Sequence, residues 1–580
     1  MQDLKNSTTE IFSVETNPDL RVGLCPLCKA TLRDNFVSQG FQVQYCTDCG
    51  LKLINPQPSD QVLGEVYNAT YFLTQYSHDA DQKVAQIKRA TASLYLDMLE
   101  SYGCRVGGKL LEVGSGTGDL LVEAQVRGFE VTGIEYSSHA VATARSRLGE
   151  GTAQVICGEV ETVNLPEASF DACVLSDVLE HARNPEKFLK AVNRLLKPGG
   201  FLFLSTPSLD SWSARLLGKH WMEYKTEHLY YFSRATLEQL LFSTNFNRVL
   251  LRPNVKVLTP GYICAHFDRY PVPLFTPLAR LAIKLMPRPL ADQPLKVVAS
   301  GVVALSRKQL ANPRRKLSVI VPAFNERNTF DEVMEQLLSK ELDGLDLEIV
   351  VIESNSSDGT RELALKYQNH PRVKLILQEK PGGKGFAVRA GLAQATGDFV
   401  LIQDADLEYD MNDYADLLKP LLEGKTAFVL GSRHGYGGAL KMRHFADQPM
   451  MSTFLNLGHV LFTTLLNTLY GQHLKDPFTM YKVFRRDNLF GLKFDSNRFD
   501  FDYELVIKQL RKGYKPLEIP VSYKSRSFGE GKKVSLFRDP LTWIRALARF
   551  RVQPLNLSHN VREANLAEPI IEPSESFERS

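Results

Sequence analysis

What this 580-residue chain lacks narrows its chemistry first. Nowhere do about 18 apolar residues run without proline, glycine or a polar interruption, so no membrane-spanning helix is expected. The nearest approaches are 449–470, diluted by Asn456, His459, Thr463, Thr464 and Asn467, and 273–290, broken by Pro277, Pro287 and Pro289. Both read as buried or interfacial helices. The opening Met1-Gln-Asp-Leu-Lys-Asn6 lacks the basic-then-apolar order of a secretory leader. No sign of charge dominates: 69 Lys and Arg face 66 Asp and Glu, and the resulting net charge of +3 gives no reason to expect nucleic acid as a partner. Cysteine is sparse, with four of the eight in one tight group and four scattered singly. That suits a reducing cytoplasm better than a disulfide scaffold.

What is present is enough for more than one core, so two or more domains are expected. Hydrophobic content of 44% and charged content of 23% are those of ordinary globular protein. Residues 1–20 read as a loose leader. In 21–59, Cys25-Pro-Leu-Cys28 and Cys46-Thr-Asp-Cys49 are separated by 17 residues. Each pair can wrap a loop around a soft cation, and four thiolates satisfy tetrahedral zinc with no position left open, so a structural zinc ribbon is expected. Its Lys29, Arg33 and Lys52 are offset by Asp34 and Asp48, which leaves no basic stripe for nucleic acid.

Residues 60–105 have helical spacing. Then Lys109-Leu-Leu-Glu112-Val-Gly114-Ser-Gly116-Thr-Gly118 reads as a strand entering a glycine turn at a helix start, where exposed N–H groups favour polar or anionic ligands. The next strand ends at Glu135, placed to take two ribose hydroxyls. Further strands are expected at 154–157, 170–176 and 201–205, alternating with helices as a doubly wound parallel sheet requires, and another strand is expected at 297–305 beyond a proline-rich stretch. The Gly-x-Gly-x-Gly spacing, Asp177-Val-Leu-Glu-His181 and Lys197-Pro-Gly-Gly200 resemble class I S-adenosylmethionine-dependent methyltransferases over about 60–250. The resemblance implies Glu112, Gly114, Gly116 and Gly118 at the methionine end of S-adenosylmethionine, Glu135 at its ribose, and Glu159 and Val160 at its adenine. His181 is the general-base candidate, with His228 a second; methyl transfer can also run on alignment alone. This domain is expected over 60–306, followed by a basic, proline-containing linker at 307–315.

A second doubly wound unit is expected over 316–553. The strand 316–322 ends at Pro322 and turns out through Asn325-Glu326; another, 347–352, leads to Glu353-Ser354-Asn-Ser-Ser-Asp358-Gly-Thr360. A glycine-rich segment carries Lys384 and Arg389, suited to phosphate or sugar groups. The apolar run 399–402 then ends in Asp404-Ala-Asp406, two carboxylates that alternation turns to one side, within reach of one hard cation, Mg or Mn. Such an ion could neutralise a diphosphate as a glycosidic bond to it breaks. With Phe428-Val-Leu-Gly-Ser-Arg433, these motifs resemble family 2 glycosyltransferases, particularly dolichyl-phosphate mannose synthases, over about 316–550. The relatives usually have Asp-Asp-Gly-Ser where this chain has Glu353-Ser354-Asn355-Ser356. The resemblance implies Pro322, Asn325, Glu326, Glu353, Lys384, Arg389 and Arg433 around a nucleotide-sugar donor, and Arg526 and Lys532 in a phosphate-clamping loop. Asp500, Asp502 or Glu504 could serve as base for a hydroxyl acceptor; a polyprenyl phosphate needs none. Residues 540–551 carry an apolar stripe with basic flanks, which admits a peripheral contact at the inner face of a membrane. Residues 554–580 read as a disordered tail.

The expected chain is α/β, with two doubly wound sheets, a Rossmann-like methyltransferase and a GT-A nucleotide-sugar transferase, behind an N-terminal zinc ribbon. The expected function is bifunctional: methyl transfer from S-adenosylmethionine, and inverting, metal-dependent transfer from a nucleotide sugar to a polyprenyl phosphate or glycan hydroxyl. Two rivals stand beside it: an RNA methyltransferase with a zinc-ribbon reader, and a methyltransferase fused to a non-catalytic docking module that has lost donor binding.

Overall fold

The computed structural model describes residues 20–66, 78–149, 151, 153–269, 275–309, 315–434, 449–490, 492–525, 538–553 and 555. The leader up to residue 19, the loop carrying Arg526 and Lys532, and the tail from residue 556 lie outside the described residues. The chain divides into two compact units, Met1–Leu310 and Ala311–Ser580.

In chain order the strands of the first unit are β1 (Leu32–Ser38), β2 (Phe41–Cys46), β3 (Lys52–Ile54), β4 (Lys109–Val113), β5 (Glu130–Glu135), β6 (Gln154–Cys157), β7 (Phe170–Ser176), β8 (Leu196–Pro207), β9 (Tyr230–Tyr231), β10 (Phe246–Leu258) and β11 (Leu295–Lys308). β1, β2 and β3 form an antiparallel meander to which β9, some 170 residues on in sequence, adds an antiparallel fourth strand. Phe41, Val43 and Ile54 of the meander share a buried core with Trp221, Tyr224 and Tyr231. The ribbon is therefore sewn to a distant segment by apolar packing.

The large sheet runs β10-β11-β8-β7-β4-β5-β6. β4, β5, β6, β7 and β8 are parallel, and the apolar runs of β4 and β7 are buried on both faces, as helix-covered parallel strands require. The five strands expected to be parallel are so, and the further strand expected at 297–305, β11, is antiparallel to both neighbours. β10 was not legible as a strand. It is an edge strand in which Arg252 and Lys256 interrupt the apolar pattern, and Pro253 stands at a register shift, a place where a missing N–H is tolerated.

The strands of the second unit are β12 (Arg315–Ala323), β13 (Leu345–Glu353), β14 (Val373–Leu377), β15 (Phe399–Ile402), β16 (Phe428–Ser432), β17 (Lys482–Arg485) and β18 (Leu517–Pro520). Their order is β14-β13-β12-β15-β17-β16-β18, with β17 antiparallel to both β15 and β16 and the other pairs parallel. One face is closed by a core that includes Phe330, Val333 and Leu337 of the helix Arg327–Ser339 and Tyr414 and Leu417 of the helix Tyr414–Leu422. The helix Lys384–Gln394 packs on β12 and β13 through Gly391, whose missing side chain leaves room for Ile320 and Ile352. Among the described residues no helix is long and apolar enough to cross a membrane.

A Cβ at Gly391 would stand 2.5 Å from Ile320 Cγ2 and 2.7 Å from Ile352 Cδ1. Gly391→Ala is expected to overpack this contact and cost about 1–3 kcal/mol. Urea denaturation checks it: the midpoint for the second unit falls, whereas an unchanged midpoint would show that the helix can slide.

Candidate functional site

Each unit gathers polar groups at the carboxyl ends of its strands. In the first, the turn after β4 carries Gly114, Gly116 and Gly118, all with left-handed φ, of +76°, +50° and +81°. A Cβ on Gly114 would overlap Val178, and one on Gly118 would stand 3.0 Å from Ala144 Cβ, so both are needed for close packing. Gly116 faces nothing within 4 Å, which leaves its side open to a ligand. Glu135, at the end of β5, accepts from Gly116 N at 2.8 Å and from Ser137 N at 2.9 Å, bracing the turn.

Glu112 is buried in β4, and burial, with Asp119 and Glu135 adding to it, holds its carboxyl well above the usual range. Its Oε2 and Ser115 Oγ are buried without a partner among the described residues. Two orphaned oxygens beside an open glycine turn call for a hydrogen-bonding ligand, and the polar methionine end of S-adenosylmethionine fits that demand. Val160 is buried and Glu159 exposed, its carbonyl accepting from Thr162 N and Val163 N.

Beyond β7, Asp177 adopts a left-handed φ of +54° and pairs with Lys256 at 2.5 Å. Glu180, His181 and His228 then bring one ligating atom each within 4.8 Å of the others. His181 Nδ1 faces the Glu227 carbonyl and His228 Nδ1 the Glu223 carbonyl, both at 2.9 Å. A carbonyl can only accept, so each Nδ1 carries the proton and each Nε2 keeps its lone pair. Burial pulls His181 down to about 4, and it pulls His228 well down, with His181 adding to the effect. Burial and then Asp177 push Glu180 up to about 8. The two imidazoles are thus neutral near pH 7, half-buried His181 being the more accessible. In the ribbon, Cys25 Sγ lies 3.6 Å from Cys49 Sγ, Cys28 Sγ lies 3.3 Å from Cys46 Sγ, and all four sulfurs fall within 4.8 Å of one another. This set fits a tetrahedral zinc ion.

In the second unit a cavity of about 950 Å³ opens beside the end of β15. Pro322, Glu326, Lys384, Asp404, Asp406, Arg433 and Asp502 line its polar end. Gln403 anchors the strand end, its Oε1 accepting from Tyr414 at 2.8 Å and Tyr481 at 2.9 Å. The Lys384 ammonium pairs with Asp404 and reaches Met480 Sδ at 3.1 Å. A second lysine, the fully buried Lys482, pairs with Asp502 at 2.8 Å. Asp476 grips Arg433 with two oxygens, at 2.8 and 2.7 Å, and holds the guanidinium 5.3 Å over the Tyr523 ring. Two adjacent carboxylates at such an end supply the hard oxygens that Mg or Mn takes.

Several expected contacts fall elsewhere. Arg389 is directed at the Phe494 carbonyl (2.8 Å) and Asn497, and braces that loop instead of facing the cavity. Glu504 is fully buried, accepts from Asp495 N at 3.0 Å and Ser496 N at 2.8 Å, and pairs with Lys508, so it braces that loop and does not line the cavity. Glu353 is likewise fully buried on Arg361 at 3.0 Å and on the N–H groups of Asn355 and Ser356. Asn325 Oδ1 accepts from Ser357 N at 2.9 Å. Asp500, at a helix start, accepts from Arg498 N at 3.1 Å. Ser354, by contrast, lines the cavity and donates to Gln378 Oε1 at 2.8 Å.

The opposite end of the cavity went unforeseen. Phe454, Leu457, Leu461 and Phe462 of the helix Pro449–Tyr470 line it with Tyr503, Trp543 and Ile544. Phe454, Leu457, Leu461 and Ile544 are also exposed to solvent. Their spacing in 449–470 was the available signal, but a buried helix shows the same spacing.

Residues 83–251 match the family model described as Methyltransferase domain, and residues 318–490 match that of Glycosyl transferase family 2. The dolichol-phosphate mannosyltransferase of Pyrococcus furiosus is 29% identical over 217 residues, 37% of this chain and 59% of that protein. The dolichyl-phosphate beta-glucosyltransferase ALG5C of Trichomonas vaginalis is 28% identical over 246 residues, 40% of this chain and 71% of that one. A solved SAM-dependent methyltransferase of Thermotoga maritima shares 20% identity with a TM-score of 0.28, over 41% of this chain and 99% of its own.

Between the ordinary histidine value of 6.5 and about 4, the unfolded chain takes up a proton that folded His181 refuses. Its contribution is complete above 6.5 and is lost as pH falls through that window. Glu180 and Glu112, both raised, act in the opposite sense, so the readout is a difference: from pH 7 to pH 5 the urea midpoint of the wild-type first unit should fall relative to that of His181→Gln, and parallel slopes would contradict the burial of this imidazole.

Proposed function

We propose, starting from a chain that carries a methyltransferase domain and a family 2 glycosyltransferase domain, that it is a bifunctional enzyme of glycolipid assembly. The second unit transfers a sugar, with inversion, from a nucleoside diphosphate to a polyprenyl phosphate. The observation that carries this is one continuous cavity, ionic at Lys384, Asp404, Asp406, Arg433 and Asp502 and apolar at Phe454, Leu457, Leu461, Trp543 and Ile544. Phosphate groups suit the first end and an isoprenoid tail the second. A glycan hydroxyl would use only the first.

Asp404 and Asp406 would hold Mg or Mn, whose charge offsets the diphosphate as the sugar leaves. Lys384 adds a cation beside that pair. Arg433, held rigid by Asp476, offers its charge at the cavity wall. A phosphate acceptor attacks as an anion and needs no base, which agrees with Asp502 being neutralised by Lys482. In the first unit, Glu112, Gly114, Gly116 and Gly118 receive the methionine end of S-adenosylmethionine, Glu135 its ribose, and Glu159 and Val160 its adenine. His181, or His228 behind it, takes the proton of the methyl acceptor through Nε2. The acceptor is a sugar or lipid of the same pathway, since fusion makes both activities available together.

A second reading, a docking module without donor binding, draws on Ser354 standing in the cavity wall where relatives carry an acid. Calorimetry with a panel of nucleotide sugars and Mn separates the two, and binding of polyprenyl phosphate alone favours docking.

Asp404→Asn with Asp406→Asn is expected to lower transfer of labelled sugar to polyprenyl phosphate by at least about a hundredfold, and chelation should abolish it. Undiminished transfer in the variant, or transfer surviving chelation, would sink the reading.

A further inference from the structure

The first unit also carries an element that neither activity accounts for. β8 pairs with β11 only between Gly301 and Arg307, whereas β10 and β11 stay paired out to Leu258 and Leu295. This two-stranded extension leads into the helices Pro260–Arg269, Phe275–Leu285 and Arg288–Ala291. They are tied together: Thr276 donates to the Phe267 carbonyl at 3.2 Å, and Arg280 pairs with Asp268 at 2.6 Å. Thr276 is buried, and Ala279 and Ile283 are partly covered on the same face. The outward face repeats Phe275, Leu278, Leu281 and Leu285 at helical spacing, with the three leucines 63%, 54% and 75% exposed. Leu290, Leu295 and Val298 of the same element are 44–50% exposed. A run of exposed leucines of this kind marks a surface that is covered in use.

The charges around it select the cover. Lys284, Arg288 and Lys296 are exposed, Asp268 is neutralised by Arg280, and Asp292 is the other acid among the element's described residues. We propose that this helical element rests on an anionic bilayer, its leucines at the boundary of headgroups and acyl chains and its three basic residues among lipid phosphates. Its position gives the contact a purpose. The element leaves β10 at the carboxyl end of the sheet, where the glycine turn and His181 lie, and Lys256 on the extension pairs with Asp177 of the same end. Docking would hold the methyl-transfer site over molecules carried in the membrane. The inference needs neither the donor metal nor the sugar-transfer reading.

The test is flotation of the full chain with vesicles of phosphatidylcholine, with and without phosphatidylglycerol. Binding to the anionic vesicles that weakens with salt is expected. Leu278→Asp with Leu281→Asp and Leu285→Asp should lower partitioning at least about tenfold. Lys284→Gln with Arg288→Gln and Lys296→Gln, which leaves the packed face intact, should remove the preference for phosphatidylglycerol with an unchanged melting curve. The proposal is overturned if wild-type chain does not float, or if both variants float as wild type does. It is equally overturned if Leu457→Asp with Leu461→Asp in the second unit alone abolishes flotation, or if the leucine variant changes only self-association by light scattering.

Discussion

Two lysine–aspartate pairs, one half-buried and one buried, set the terms for the second unit. Lys384 pairs with Asp404 and Lys482 with Asp502. None of these charges is stable in the interior alone, because desolvation costs several kcal/mol per ion and only a partner offsets it. The surrounding structure serves that pairing. Gly383 and Gly385 let the helix start that carries Lys384 press against residues 496–501, which lead into the helix bearing Asp502. Gln403, gripped by two tyrosines, stops the buried strand where Asp404 must emerge. A polar pocket results that already balances carboxylates against ammonium groups, and it opens onto an apolar wall. A substrate with a charged head and a greasy tail matches it along its length.

The first unit solves the opposite problem. Its turn is braced from within by Glu135, and it leaves Glu112 Oε2 and Ser115 Oγ buried and unsatisfied among the described residues. Such groups cost free energy until something binds them, so the polar deficit is itself a description of the ligand. Across the strand ends, two imidazoles are kept neutral by burial and locked in one tautomer by backbone carbonyls.

Legibility in the sequence followed how local each signal was. Cys25, Cys28, Cys46 and Cys49 and the glycine turn declare themselves through short spacing and lie where that spacing put them, and Asp404 with Asp406 lines the cavity beyond β15. Charge without its partner was misleading. Arg389 and Glu353 read as ligand contacts and Glu504 as one of three base candidates, but all three brace loops, because their partners (Phe494 and Asn497, Arg361, and the 495–496 backbone) are set by the fold. The ribbon's fourth strand was hidden for the same reason, since β3 meets β9 only in three dimensions. The apolar wall was ambiguous in principle: leucines at helical spacing look alike whether they face a core, a lipid tail or a bilayer.

The most direct test of the account is whether the carboxylates of the cavity recognise a cation and a diphosphate as one ligand. Titration of Mn into the full chain, followed by the loss of its free electron-spin signal, should show weak binding alone. Binding should become markedly tighter when a nucleoside diphosphate is present. Mn affinity unchanged by any nucleoside diphosphate, with the chain folded throughout, would contradict it.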